Sequence, residues 1–266
     1  MKRLLLLLGV AALVAVPVAA ATLNSSPPVM QKGKLIVAFG DPAPGFAVGH
    51  VRGTNIVNPK GYEVDLAKKL AAYLHLTPVW KYSPWTSLFA PGTKKFDISF
   101  QEATITTQRA KTIDFTTPYM NANQGVLMSK TAAVPHSLMD LKALQVCAQQ
   151  DTTALTYINN QLHPTKKVLT YPTTTGAYAS VANGTCDAFM LDVPLILLEK
   201  KRSPTRYGPV AGQIVTHEKY GAVLQKHSKL TPVVNSVLKK FTTNGTIANL
   251  QKKWFRISFT KIPTLK

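Results

Sequence analysis

Short apolar runs and amphipathic stretches alternate along the chain. Leu35-Ile36-Val37-Ala38-Phe39 reads as a buried strand and is closed by the turn-rich Gly40-Asp41-Pro42-Ala43-Pro44-Gly45. Between Gly61 and Leu74, residues Val64, Ala67, Ala71 and Leu74 recur at helical spacing, and Leu66, Leu70 and Tyr73 widen the stripe. That pattern predicts an amphipathic helix packed on a sheet. Further strands are predicted over 79–82, 96–100, 144–148, 168–171 and 188–191, and helices over 152–162, 175–183 and 193–201. Thr231-Pro232 marks a helix start, Asn244-Gly245-Thr246 stops that helix and caps the next, and Trp254-Phe255 is placed to pin the last helix to the core. No fixed-period repeat is present. The βαβα rhythm implies α/β layers with mainly parallel sheets.

The first residues break this rhythm. Met1-Lys2-Arg3 is basic, 4–18 is almost wholly apolar, and Ala19-Ala20-Ala21 is small, the three-part plan of a secretory signal peptide cleaved after Ala20 or Ala21. The run is shorter than the roughly 20 residues of a stable span. The mature chain is therefore expected outside the cytoplasm, with Ser25-Ser26-Pro27-Pro28 as a linker to the fold.

The chain of 266 residues is large enough for two small domains with their own cores, and 45% hydrophobic residues argue against disorder. The net charge is +19. Charge of this size points to nucleic acid when it is clustered. Here the lysines form scattered pairs on predicted helix faces (Lys68-Lys69, Lys200-Lys201, Lys239-Lys240), so a solvated basic surface is expected instead. The six histidines are dispersed and neither they nor the two cysteines have metal spacing, so no cofactor or metal is expected. Export makes a disulfide between Cys147 and Cys186 chemically possible.

In open α/β sheets, ligands sit beyond the carboxyl ends of the strands. Those positions hold Asp41, then Gln101-Glu102-Ala103-Thr104, then Gln149-Gln150-Asp151-Thr152-Thr153, then Asp192. The chain has only 12 acidic residues, and Asp41, Glu102, Asp151 and Asp192 are four of them. The concentration points to a site for a positively charged group; helix N-capping is the competing explanation.

The ordered motifs resemble the amino-acid branch of the periplasmic solute-binding proteins, over about 33–255. Gly33-Lys34-Leu35-Ile36-Val37 looks like the family's first strand, and Gly61-Tyr62-Glu63-Val64-Asp65-Leu66-Ala67 like its first helix. Thr104 through Ala110 is similar to its strand-to-helix segment, and Asp114-Phe115-Thr116-Thr117-Pro118-Tyr119 to its D-F-[ST]-x-P-[YF] segment. Ser137 to Leu141, Asp187 to Asp192, Asn244-Gly245-Thr246 and Lys253-Trp254-Phe255 follow in order.

The resemblance implies a type II periplasmic-binding-protein fold with two crossover strands, lobe 1 over 31–121 and 220–266 and lobe 2 over 122–219. It implies a receptor for an inner-membrane ABC permease, monomeric, which holds a free amino acid in the inter-lobe cleft and binds no nucleic acid. Arg109 matches the carboxylate-binding arginine, and Thr104 a position that donates backbone and hydroxyl hydrogen bonds. Thr153 matches the partner from the other lobe, where backbone N–H groups at a helix start aid the anion, and Asp192 the ammonium-binding carboxylate. Phe46 and Trp85 are candidates for the side-chain pocket, with core packing as the alternative. The resemblance also sets Cys147 and Cys186 on neighbouring strands of lobe 2, implying a disulfide. The chain departs from the pattern where the family has Ser or Gly at Gln101 and Glu102 and Gly at Asp151. The extra acid favours a polar or basic ligand. A periplasmic dehydratase of the cyclohexadienyl type on the same scaffold, with Glu102 as general acid, is the alternative.

Overall fold

The computed structural model describes residues 26–259 and 261–266; the expected signal peptide at 1–21 lies outside them. The chain opens with β1 (Lys34–Phe39), the hairpin β2 (Val48–Arg52) and β3 (Asn55–Lys60), α1 (Tyr62–Tyr73), β4 (Thr77–Tyr82), the short α2 (Trp85–Leu88), β5 (Ile98–Ser99) and β6 (Ile113–Phe115). β7 (Met120–Met128) leads into α3 (Leu138–Ala143), β8 (Val146–Gln149), α4 (Thr153–Tyr157), β9 (Leu169–Tyr171), α5 (Thr174–Ala182), β10 (Ala188–Asp192) and α6 (Val193–Arg202). β11 (Val210–Tyr220), β12 (Val223–Gln225), α7 (Leu230–Thr243) and α8 (Thr246–Trp254) complete it.

Two sheets result, ordered β2-β3-β4-β1-β5-β12-β6 and β11-β7-β10-β8-β9. The parallel runs are β4-β1-β5, inside the first sheet, and β10-β8-β9, which reaches the edge of the second at β9. Antiparallel strands adjoin the first run on both sides and the second on its β10 side, so each sheet is mixed. The hairpin β2–β3 went unread in the sequence because most of its residues are at least partly exposed and it carries Gly49 and Pro59, leaving little apolar alternation.

Each lobe has its own core. Leu35, Val37, Leu66, Leu70, Ile98, Val234, Leu238 and Phe255 belong to the first, and Val126, Met128, Val146, Ile158 and Met190 to the second. β7 and β11 join them. Met120 and Ala122 at one end of β7 and Tyr220 on β11 pack in lobe 1, whereas Val126, Met128 and Ile214 pack in lobe 2. The two strands pair antiparallel, with an irregularity between Ile214 and Glu218.

Helix α1 shows why motif residues stand where they do. Gly61 has φ 138°, and a Cβ there would lie 2.0 Å from Phe46 O. Only glycine permits that approach. It lets Tyr62 N–H donate to Gly45 O and Glu63 N–H to Phe46 O, so backbone carbonyls cap the helix in place of a side chain.

The C-terminus departs from the expected division at 220. After α8 the chain returns to lobe 2: Gln213 N–H donates to Pro263 O, Leu265 N–H to Gln213 O and Leu138 N–H to Lys266 O. Leu265 is buried in the lobe 2 core over Gly212, where a Cβ would meet it at 2.8 Å.

Candidate functional site

A cleft between the lobes is lined from lobe 1 by Asp41, Trp85, Gln101, Glu102, Thr104 and Arg109, and from lobe 2 by Thr152, Thr153 and Asp192. Gln149, Thr174 and Tyr178 also line it. Direct bonds cross it. Trp85 Nε1–H donates to Gln150 O at 3.0 Å, Arg109 Nη2–H to Asp151 O at 2.7 Å, and Gln149 Nε2 and Thr174 N–H to Asp41 Oδ2 at 3.2 and 3.3 Å. The lobes are closed on one another.

Arg109 opens a single 3₁₀ turn, Arg109–Lys111, where the resemblance sets the helix of its strand-to-helix segment. Thr104-Ile105-Thr106-Thr107 is β-branched throughout, and β6 begins at Ile113, which leaves room for one turn only. The guanidinium lies 4.0 Å from the Phe89 ring centroid and 5.2 Å from that of Trp85, and Nη1 donates to Thr104 O at 2.8 Å. Burial pulls its pKa down to about 10, which leaves it cationic at neutral pH.

Asp192 faces it from the end of β10. Its Oδ2 accepts from Tyr220 Oη at 2.6 Å and its Oδ1 from Gln124 Nε2 at 2.5 Å. Burial, and then the Glu218 carboxylate, raise its pKa to about 7, against the pull of those two hydrogen bonds and Arg109. The folded protein therefore holds a proton here that the unfolded chain has lost. That contribution to stability is complete below about pH 4 and fades as pH rises through about 7. Asp192→Asn is expected to flatten the decline of thermal midpoint over this window in the ligand-free protein. Asp41 and Asp97, both raised by burial, leave a residual slope. An unchanged pH profile in scanning calorimetry counts against this placement of Asp192.

The hydroxyls of Thr104 and Thr153, one from each lobe, both donate to Glu218 Oε2 at 2.7 Å. Glu218 stands on the crossover strand, next to its irregularity, and its Oε1 accepts from Gln124 Nε2 at 3.0 Å. Neither Glu218 nor Gln124 was singled out from the sequence, and the scarcity of acids was the one available signal for Glu218.

Three candidates take other positions. Phe46 is fully buried in lobe 1, its ring 4.9 Å from Phe255 and 6.0 Å from Tyr62, because the β1–β2 loop folds inward over α1. Ala103 is buried against Ile36, Ala38 and Leu88, since its side chain points into the layer behind the sheet. Asp151 is exposed and presents its carbonyl, not its carboxylate, to Arg109. Thr152 spends its hydroxyl on the α4 N-cap, accepting from Leu155 N–H. Gln101 is buried at the cleft wall and donates to Ser99 Oγ and Ser83 O. Glu102 (φ 48°) and Asp151 (φ 59°) are both left-handed, a conformation that favours glycine. That is the residue the resemblance sets at Asp151 and, with serine, at Glu102.

The disulfide joins Cys147 and Cys186, with Cα atoms 6.0 Å apart. No group of three or more potential metal ligands occurs among the described residues. None of their helices is long and apolar enough to cross a membrane.

The family model for bacterial extracellular solute-binding proteins, family 3, matches residues 35–257. The chain belongs to this family. The L-cystine-binding protein TcyJ of Escherichia coli (strain K12) is 26% identical over 237 residues, 88% of this chain and 86% of that one. The ABC transporter arginine-binding protein 1 of the same strain is 27% identical, over 73% of this chain and 81% of its own. Among solved structures, an ancestral arginine-binding protein bound to glutamine has a TM-score of 0.75 at 27% identity, with 85% of this chain and 99% of that chain covered. AncCDT-1, an ancestral amino acid-binding protein described as a precursor of cyclohexadienyl dehydratase, has a TM-score of 0.71 at 31% identity, with 84% and 95% covered.

Proposed function

We propose that this solute-binding protein captures a free amino acid with a polar or basic side chain outside the cytoplasm and delivers it to an ABC permease. The observation that carries this reading is the pair Arg109 and Asp192, a partly buried guanidinium and a buried carboxyl group facing one cleft from opposite lobes. A zwitterion needs that arrangement: fork-shaped donors for its carboxylate and a charged acceptor for its ammonium. Arg109 has N–H groups to spare after its bonds to Thr104 O and Asp151 O. Thr104 and Thr153 join it once their hydroxyls turn from Glu218 to the ligand. Asp41 and Glu102 add acidic character to the same wall, which disfavours glutamate and aspartate.

Binding without turnover is the reading that relatives named for cystine and arginine binding support. The protein acts as a monomer without cofactor or nucleic acid, and its signal peptide is removed after Ala20 or Ala21 in the periplasm. Calorimetric titration with arginine, lysine, glutamine and glutamate tests the ligand class. The expected order places the basic amino acids and glutamine at micromolar affinity or better and glutamate at least tenfold weaker. Tightest binding of glutamate, or no heat with any amino acid, overturns the proposal.

A further inference from the structure

Glu63 is the second residue of α1 and only 1% exposed. A glutamate that deep ordinarily has a cation beside it. Its partners here are a phenol and a backbone amide: Oε1 accepts from Tyr119 Oη, and from Glu102 N–H at 3.0 Å. No ion pair among the described residues includes Glu63 or Glu102. One oxygen of each carboxyl group, Glu63 Oε2 and Glu102 Oε1, is buried without a hydrogen-bond partner. Two adjacent buried carboxylates repel, whereas one proton held between them turns one group into a donor.

The surroundings offer no substitute for that proton. The ionisable groups facing Glu102 are Glu63 from α1, Tyr119 before β7, Asp192 ending β10, Asp41 after β1, Tyr220 ending β11 and Tyr178 in α5. All are carboxyl groups or phenols; Arg109 lines the same cleft but donates to Thr104 O and Asp151 O and forms no ion pair with Glu102. Burial first, and Glu63 second, push Glu102 well above the usual carboxylate range, and burial raises Glu63 as well. Glu102 lines the cleft and Glu63 stands behind it.

We infer that Glu63 and Glu102 share one proton behind the cleft wall, and that a ligand with a cationic side chain expels this proton and takes its place. Glu63 is then a positioning residue that sets specificity through Glu102 without touching the ligand. The inference rests on the amino-acid reading above. The charges balance: a protonated pair and a cationic side chain become two carboxylates, the bound cation and one proton released to solvent. A neutral amide cannot compensate the second carboxylate, so glutamine leaves the proton in place.

Two measurements test this. Infrared spectra of the ligand-free protein at pH 8, where Asp192 is mostly ionised, should show a buried protonated-carboxyl band that is lost in both Glu63→Gln and Glu102→Gln. Absence of the band from the wild type overturns the shared proton. Calorimetry at pH 8 in two buffers of different ionisation enthalpy should show arginine releasing about one proton more than glutamine. Arginine affinity should then rise about tenfold per pH unit while that of glutamine stays flat. Glu63→Gln should bring the arginine release close to that of glutamine, because the introduced amide donates to the Glu102 carboxylate and favours its ionised form before the ligand arrives. Equal release with the two amino acids in the wild type overturns the reading of side-chain charge. Failure of every amino acid to bind defeats the proposed function, and the infrared band then decides the shared proton by itself.

Discussion

Arg109→Ala is expected to abolish measurable amino-acid binding while the fold persists. The guanidinium sits against the rings of Phe89 and Trp85 and is fixed by two backbone carbonyls, one from each lobe. A ligand carboxylate meeting it needs little further ordering of the side chain, so most of the charge-assisted energy remains available for binding. Removing one partner of such a buried pair costs about 2–5 kcal/mol, a loss of roughly 30-fold or more. Arg109→Lys is expected to restore little, because an ammonium cannot reproduce the fork or lie flat against two rings. The substitution also removes the bond to Asp151 O, so the ligand-free variant should be more open in small-angle scattering. Titration calorimetry beside circular dichroism decides the matter: unchanged affinity in a folded variant removes Arg109 from the site.

Breaking the Cys147–Cys186 bridge is expected to cost about 4 kcal/mol, the loop-entropy value for a sequence separation of 39. Both cysteines are fully buried, one on β8 and the other just before β10, with Leu127, Phe189 and Ile196 in the same cluster. The double variant Cys147→Ala/Cys186→Ala should lower the thermal midpoint by roughly 10 °C. Affinity at low temperature should change little, because Asp192 is held by Tyr220 and Gln124 and not by the bridge. Thiol titration of the unfolded, unreduced wild type should find no free thiol. Two free thiols, or a shift of only one or two degrees, contradict a stabilising bridge.

The layers were legible in the sequence. Helices 175–183 and 193–201 are found at Thr174–Ala182 and Val193–Arg202, and strand 188–191 at Ala188–Asp192. Burial of one face is a short-range property that a window of ten residues displays, except where an element such as the exposed hairpin β2–β3 buries too little of itself. Motif order likewise placed Arg109, Thr104, Thr153 and Asp192 on one cleft, because strand ends of an open sheet converge there. What the sequence could not display were contacts whose members are far apart in the chain. The Glu63–Glu102 contact spans 39 residues, Thr153–Glu218 spans 65 and Thr104–Glu218 spans 114. Glu63 stood in the sequence only as one position of the first-helix motif, and Glu102 as a charge added to the cleft. Whether such a group is ionised depends on how much water and which charges surround it. Those are settled only when both lobes and the crossover strands have packed around it, so tertiary structure alone decided the electrostatics of the site.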